Sequence, residues 1–263
     1  MPIQIKKVEA GQFRRVLKSG RTTPLLFECV DVATGQKEEY VVKLKGSLDR
    51  RDRGLICELV SSIIARFMGF NTPPIALVNI DAQMASLIDV IPKDKIDSSI
   101  GLNFGSKLLS GGYLNLPNDY PLTNHMEQAA AEIITFDALI QNPDRRTGKS
   151  NMLIKGNEIY IFDHELAFSF LELIGKRGEP WEQAAFSSCV RRHFFYRQLK
   201  GRTLSLERIA QSIKSMGDDF LSDVQAIIPE EWKDENINQI FDHLKAIVKN
   251  ADRFIEGVRR EMV

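Results

Sequence analysis

Two short apolar runs, residues 152–154 and 158–162, are separated by Gly156-Asn157 and flanked by polar residues that a strand pair does not need. A Gly-Asn pair between two such runs specifies a tight hairpin. Asn151 starts the first run and Asp163 ends the second, so the hairpin predicts that both stand at its open end. Asn142-Pro143-Asp144-Arg145 precedes it and places a second carboxylate in a turn at the end of a helical pattern. A phosphoryl-transfer centre is built from these three groups: one Asp that orients the acceptor hydroxyl, an Asn that holds Mg²⁺, and an Asp that bridges metal and ATP phosphates. Taken singly, Asp144 reads equally as a solvated turn residue, and Asn151 as an ordinary residue before a strand. Together, two oxygen ligands at one hairpin end suit an octahedral Mg²⁺ completed by phosphates and water.

The rest of the chain predicts a setting for that hairpin. Residues 14–17, 25–31 and 39–45 are β-rich and separated by turns, which suggests an antiparallel meander. Residues 54–69 carry a helical stripe of Leu55, Ile56, Leu59, Val60, Ile63, Ile64 and Phe67, stopped by Gly69. After Pro73-Pro74, residues 75–80 and 84–91 read as a further hairpin, and residues 93–124, rich in Gly, Ser, Asn and Asp, as a mobile crossing. A helix from Thr123 or Asn124 to about Ile140 leads into the hairpin, and residues 204–216, 218–228 and 237–258 are helical beyond it. The expected fold is α+β and two-lobed. A small antiparallel β-rich lobe with one helix spans residues 1–92, and a mainly helical lobe with the embedded hairpin spans residues 93–263.

Lys43 lies in Tyr40-Val41-Val42-Lys43-Leu44-Lys45, where a cation interrupting an apolar strand can meet ATP phosphates. Strand alternation puts Lys45 on the same face, so the choice between them stays open. Glu58, on the following helix, is placed to pair with the strand lysine, although a surface glutamate would read the same way. Ser19-Gly20-Arg21-Thr22 stands where a phosphate-covering loop belongs, yet it matches neither glycine-rich nucleotide motif and reads equally as a plain hairpin turn. Arg191, Arg192, His193, Arg197 and Lys200, interleaved with Phe194, Phe195 and Tyr196, read as the solvated face of an amphipathic helix, or alternatively as a dock for an acidic partner.

Composition narrows the remaining classes. The chain has 263 residues, 35 basic against 35 acidic, which gives no support to binding nucleic acid by phosphate neutralisation. Cys29, Cys57 and Cys189 are far apart and form no CxxC pair, so neither a zinc site nor a disulfide framework is expected. The start Met1-Pro2-Ile3-Gln4 opens no apolar signal region, and no run of about 18 apolar residues could span a membrane. A cytoplasmic protein is the expectation.

The segments Phe136-Asp137-Ala138-Leu139-Ile140-Gln141-Asn142-Pro143-Asp144-Arg145, Asn151-Met152-Leu153-Ile154 and Ile161-Phe162-Asp163-His164-Glu165-Leu166-Ala167-Phe168 resemble the HipA-like kinases, an atypical kinase branch. The last is also similar to the type II phosphatidylinositol 4-kinase pattern, and residues 58–69 with Pro73 resemble the Glu-bearing helix of HipA-like proteins. The likeness covers roughly residues 40 to 170. It implies a two-lobed kinase fold using ATP and Mg²⁺, with Asp144 catalytic, Asn151 and Asp163 as metal ligands and Lys43 on the phosphates. Two departures stand out. The step from Asp144 to Asn151 is two residues longer than the usual five, and Asp163-His164-Glu165 lacks the Gly of Asp-Phe-Gly. The chain is too short for the extra amino-terminal domain of full-length HipA toxins, so their substrate is not carried over. The expected activity is transfer to a protein Ser or Thr, its own chain included. The alternatives are a lipid or small-molecule acceptor, and a non-catalytic nucleotide-binding scaffold.

Overall fold

A computed structural model describes residues 3–17, 22–173, 175 and 178–263. The chain divides into two compact units. The first comprises Met1–Leu59, Pro73–Gly111 and Ile227–Asp234, and the second Val60–Thr72, Gly112–Ala226 and Glu235–Val263.

In the first unit, β1 (Lys6–Val16), β2 (Leu25–Asp31), β3 (Lys37–Lys43), β4 (Ile75–Ile80) and β5 (Gly101–Lys107) close into a barrel in the order β1-β2-β3-β5-β4. Neighbours are antiparallel except β1 and β4, which run parallel from Lys6↔Ala76 to Glu9↔Asn79. Two irregularities in the β1 register, between Ala10 and Gln12 and between Phe13 and Arg15, bend that long strand so that its ends serve different partners. Leu25, Phe27, Cys29, Tyr40, Val42, Ala76 and Val78 fill the core. Gly105 is required there, because a Cβ on it would lie 2.5 Å from Val78 Cγ2. The helix α1 (Asp52–Phe67) begins in this unit and is shared with the second.

Two expectations fail here. Residues 84–91 are not a strand. Asp81 accepts a hydrogen bond from the Met84 N–H at 2.7 Å and caps the short helix α2 (Ala82–Ser86), whose Met84 points inward together with Ile88. Residues 93–124 are not a loose crossing either. They hold α3 (Lys93–Asp97) and β5, the strand that closes the barrel, and within β5 Gly101 and Gly105 are closely approached by Glu231 and Val78. The segment 227–234 joins the same unit: Trp232 Nε1–H donates to the Leu102 carbonyl at 3.0 Å, and Glu231 accepts from the Leu102 N–H at 2.8 Å.

The second unit is built around α4 (Asn124–Leu139), every residue of which from Ala130 to Leu139 is buried. The two-stranded β7 (Met152–Lys155) and β8 (Glu158–Ile161) follow it, and the two-residue β6 (Leu114–Asn115) pairs with β7. Gly156, at φ 60, takes the first central position of the β7–β8 turn, where a positive φ matches strand twist. The helices α5 (Gln183–Arg192), α6 (Tyr196–Leu199), α7 (Glu207–Ser215), α8 (Asp218–Ala226), α9 (Ile237–Lys249) and α10 (Ala251–Met262) complete the unit. The single helix expected over 237–258 is two, because Asn250 leaves helical geometry and turns its Nδ2 onto the Ala246 carbonyl at 2.9 Å. Among the described residues no helix is long and apolar enough to cross a membrane. No disulfide joins the three cysteines, and burial pushes each thiol up to about 12, which keeps them protonated and inert.

His243 of α9 is buried, donates Nε2–H to the Leu139 carbonyl at 2.7 Å and stacks on Phe170. Burial lowers its pKa from 6.5 to about 4. The unfolded chain therefore takes up a proton, between those values, that the folded chain refuses, and stability falls as pH drops from about 6.5 toward 4. Between pH 7 and pH 5 this group alone is expected to remove about 2 kcal/mol. Urea unfolding of His243→Gln at both pH values checks it: the variant should show a flatter dependence, and an unchanged slope would rule His243 out as the source.

Candidate active site

In the first unit, Lys43 ends β3 and its ammonium pairs with the carboxylate of Glu58 on α1; the side chains are 11% and 1% exposed. The strand stops at Lys43, so Lys45 does not share its face. Lys45 sits in a 3-10 turn, pairs with Asp52 at 3.2 Å and donates its backbone N–H to Asn103. The alternation that left the two lysines equivalent does not extend past the strand end. Ser19, Gly20 and Arg21 lie outside the described residues, while Thr22 is half-buried in the turn leading to β2.

In the second unit, Asn142, Asp144 and Asn151 are gathered at the open end of the β7–β8 hairpin, and Asp163 follows its second strand. Met152 pairs with Ile161, and the Phe162 N–H donates to the Asn151 carbonyl at 3.3 Å, so the backbone of residue 163 leaves the hairpin next to Asn151. Asn151 Nδ2 donates to Asp144 Oδ2 at 3.1 Å, which leaves the amide oxygen as the end able to ligate a cation. Asp144 is further held by its own N–H, donated to Asn142 Oδ1 at 3.1 Å. Gln141, Asn151, Asp163 and Phe168 all adopt left-handed backbone, at φ 45, 49, 62 and 52. Each costs about 1 kcal/mol or more for a non-glycine residue, a strain that persists where surrounding contacts enforce it. Here the enforcing contacts include the Phe168 N–H on the Ile140 carbonyl at 2.6 Å and the Ser169 hydroxyl on the Gln141 carbonyl at 2.8 Å.

The extra length between Asp144 and Asn151 is absorbed locally. Arg146 and Lys149 exchange backbone hydrogen bonds at 3.0 and 2.9 Å around Thr147-Gly148, with Gly148 at φ 87. The ammonium of Lys149 then reaches Asp144 Oδ2 at 2.5 Å.

Beneath the hairpin end lies a buried ionic network. Arg145 donates Nε–H to Asp137 Oδ2 at 2.7 Å, and the two side chains are 0% and 1% exposed. Its Nη1 serves the carbonyls of both Asn151 and Phe162, and Nη2 reaches His164 Nδ1 at 3.2 Å. His193 lies 2.9 Å from Asp137 through Nε2, while its Nδ1 accepts the Phe195 N–H. That pattern puts the proton on Nε2, and burial lowers the His193 pKa, in keeping with a neutral ring. Burial alone would raise the Asp137 carboxyl; the Arg145 charge and the His193 hydrogen bond outweigh it and hold it down to about 2.

Comparison with protein families matches residues 11–260 to the model described as HipA-like kinase. The chain belongs to the HipA-like kinase family. Comparison with curated proteins gives no match. Among solved structures, this HipA-like kinase is similar to the Helicobacter pylori proinflammatory kinase CtkA, with a TM-score of 0.54 and 13% identity over 93% of this chain and 96% of that one. The Neurospora crassa PAN3 pseudokinase matches with a TM-score of 0.35 and 11% identity, over 95% of this chain and 66% of that one. The fold is thus mixed α+β and protein-kinase-like.

Several residues of this HipA-like kinase escaped the sequence. Asp137 stood inside a helix with no sign of a partner, and its link to Arg145 rests on a turn that closes eight residues later. His193 was grouped with a solvated basic face, but it is buried. Only Arg191, Arg192, Arg197 and Lys200 of that cluster are exposed, and Arg191 is engaged with Glu261 at 2.6 Å. A histidine followed directly by two phenylalanines was the available signal that the helix ends there and turns inward.

Proposed function

We propose that this HipA-like kinase transfers the terminal phosphoryl group of ATP, with Mg²⁺, to a Ser or Thr hydroxyl of a protein, its own chain included. The observation that carries this is the Asn151–Asp144 hydrogen bond at the end of the hairpin that runs on into Asp163. It groups a carboxylate for the acceptor with an amide oxygen and a second carboxylate of the kind Mg²⁺ takes. In the first unit, which β5 extends past residue 92, Lys43 meets the α- and β-phosphates and Glu58 holds it in place.

The roles follow from the chemistry of each group. Asp144 accepts the proton of the acceptor hydroxyl and aims its oxygen at the phosphorus. Asn151 and Asp163 present hard oxygen donors, the set that fits Mg²⁺. When bound, the ion neutralises phosphate charge that the protein would otherwise have to oppose alone. Arg145 keeps the two ends of the hairpin together, so that these donors are set before substrate arrives.

The test is mass spectrometry of the intact chain and its peptides after incubation with Mg-ATP, with calorimetry of Mg-ATP binding alongside. A phosphoryl group gained on a Ser or Thr is the expected result. A chain that neither binds the nucleotide nor gains the group overturns the reading.

A further inference from the structure

Resting on the phosphoryl-transfer reading, we propose that Arg146, Arg192, Arg197 and Lys200 form a docking surface for an acidic segment of the acceptor protein, so that the hydroxyl to be modified lies beside carboxylates. All four side chains are exposed. Exposure alone does not leave an arginine unmatched here: Arg191, 62% exposed at its side chain, holds Glu261 at 2.6 Å, and Arg202, 47% exposed, holds Glu127. By contrast, Arg146, Arg192, Arg197 and Lys200 pair with no carboxylate among the described residues, and Arg146 reaches just the neighbouring Thr147 carbonyl at 3.5 Å. In a chain of zero net charge, four unmatched cations in so short a segment are a local excess.

The buried ionic network fastens these cations to the catalytic turn. The Phe194 N–H donates to the Arg145 carbonyl at 2.9 Å, His193 Nε2 donates to Asp137 Oδ2 at 2.9 Å, and Arg145 Nε donates to the same carboxylate oxygen at 2.7 Å. Residues 146 and 193 pair across an isolated antiparallel bridge. Arg192, one residue before His193, is thereby set beside the backbone of Arg146, whose own N–H donates to the Asp144 carbonyl at 3.0 Å. Arg197 and Lys200, three residues apart, share one side of α6. A segment that presents its Ser or Thr to Asp144 advances about 3.3 Å per residue when extended, so the few residues on one side of its hydroxyl come within reach of these cations. Three of the four are arginines, whose planar guanidinium grips a carboxylate through two parallel hydrogen bonds. A carboxylate arriving here competes with no internal partner, and the field of the cluster draws it in before contact. A nucleic acid carries the same sign of charge, but zero net charge supplies no wider basic surface to hold a polyanion.

The test uses the full chain and two fluorescent peptides with a central Ser, one flanked by Glu and Asp, the other by Gln and Asn. Binding is read by anisotropy without nucleotide, and kcat/KM with Mg-ATP. The acidic peptide is expected to be favoured about tenfold or more at about 0.05 M salt, and the preference should shrink at about 0.5 M as the charges are screened. In Arg192→Glu/Arg197→Glu the preference should vanish or reverse, with the thermal midpoint held because both side chains are exposed and unmatched. A wild type without the preference overturns the inference, as does a double variant that keeps it. Single-stranded RNA that displaces the labelled acidic peptide at a lower concentration than unlabelled acidic peptide does would overturn it too, in favour of a nucleic-acid partner. The phosphoryl-transfer reading fails separately: if Mg-ATP neither binds nor gives up its phosphoryl group, that reading falls, and anisotropy still decides whether these cations hold an acidic segment.

Discussion

Arg145→Leu is expected to destabilise the second unit by about 3–5 kcal/mol, the penalty for leaving a buried charge without its partner. Asp137 would keep Asn142 Nδ2 at 3.1 Å and neutral His193, but no cation. The loss goes beyond the pair, since the same guanidinium serves the carbonyls of residues 151 and 162 and His164 Nδ1. Asp137→Leu should be similarly damaging, because it strands the arginine. The double variant Asp137→Leu/Arg145→Leu should recover part of the loss, and that recovery measures the coupling. Acid dependence supplies a second check. The Asp137 pKa is held at about 2 against an ordinary 3.8, so its contribution is present above about pH 4 and disappears as pH falls toward 2. That segment, about 2 kcal/mol, should be missing from the Arg145→Leu curve. Urea unfolding that shows single variants as stable as wild type would remove Arg145 as the organiser of the hairpin end.

The sequence made some of this visible and hid the rest for identifiable reasons. Local patterns carried well: residues 25–31 and 75–80 match β2 and β4, and Asn124 opens the helix expected there. So did the hairpin, whose Gly156-Asn157 turn dictates its register. What failed was pairing at a distance. β5 contains Gly101 and Gly105, and in isolation it looks like a linker; only the barrel shows that Gly105 faces Val78 too closely for a side chain. The segment 227–234 gives no local hint that Trp232 reaches Leu102, more than a hundred residues earlier. At the site, Asp144, Asn151 and Asp163 stood out because polar residues interrupt apolar runs there. Asp137 and Arg145 did not, because a fully paired buried ion pair leaves no mark on periodicity. Lys149 was hidden differently: it becomes a neighbour of Asp144 only through the turn that Gly148 permits.

The largest functional losses are expected at Asp144 and Asp163, and the two should fail in different ways. On the roles proposed above, Asp144→Ala removes the acceptor of the hydroxyl proton, a contribution of about 10²–10⁴-fold in rate, while the oxygen donors proposed for the metal, Asn151 and Asp163, remain. Mg-ATP binding should therefore survive and transfer from labelled ATP should not. Stability should fall by about 1–3 kcal/mol, since the buried Asn151 amide loses its acceptor, while Lys149 stays partly in water. Asp163 needs a more careful substitution. It sits at φ 62, where alanine would add backbone strain to the loss of charge. Asparagine tolerates that backbone, so Asp163→Asn removes the charge without that added strain. In this variant the Mg²⁺ dependence of ATP binding should collapse together with transfer. Calorimetry with and without Mg²⁺, paired with the transfer assay, separates the two outcomes. Variants that both transfer at the wild-type rate would falsify the assignment of these carboxylates. A metal dependence lost in Asp144→Ala and kept in Asp163→Asn would exchange their roles.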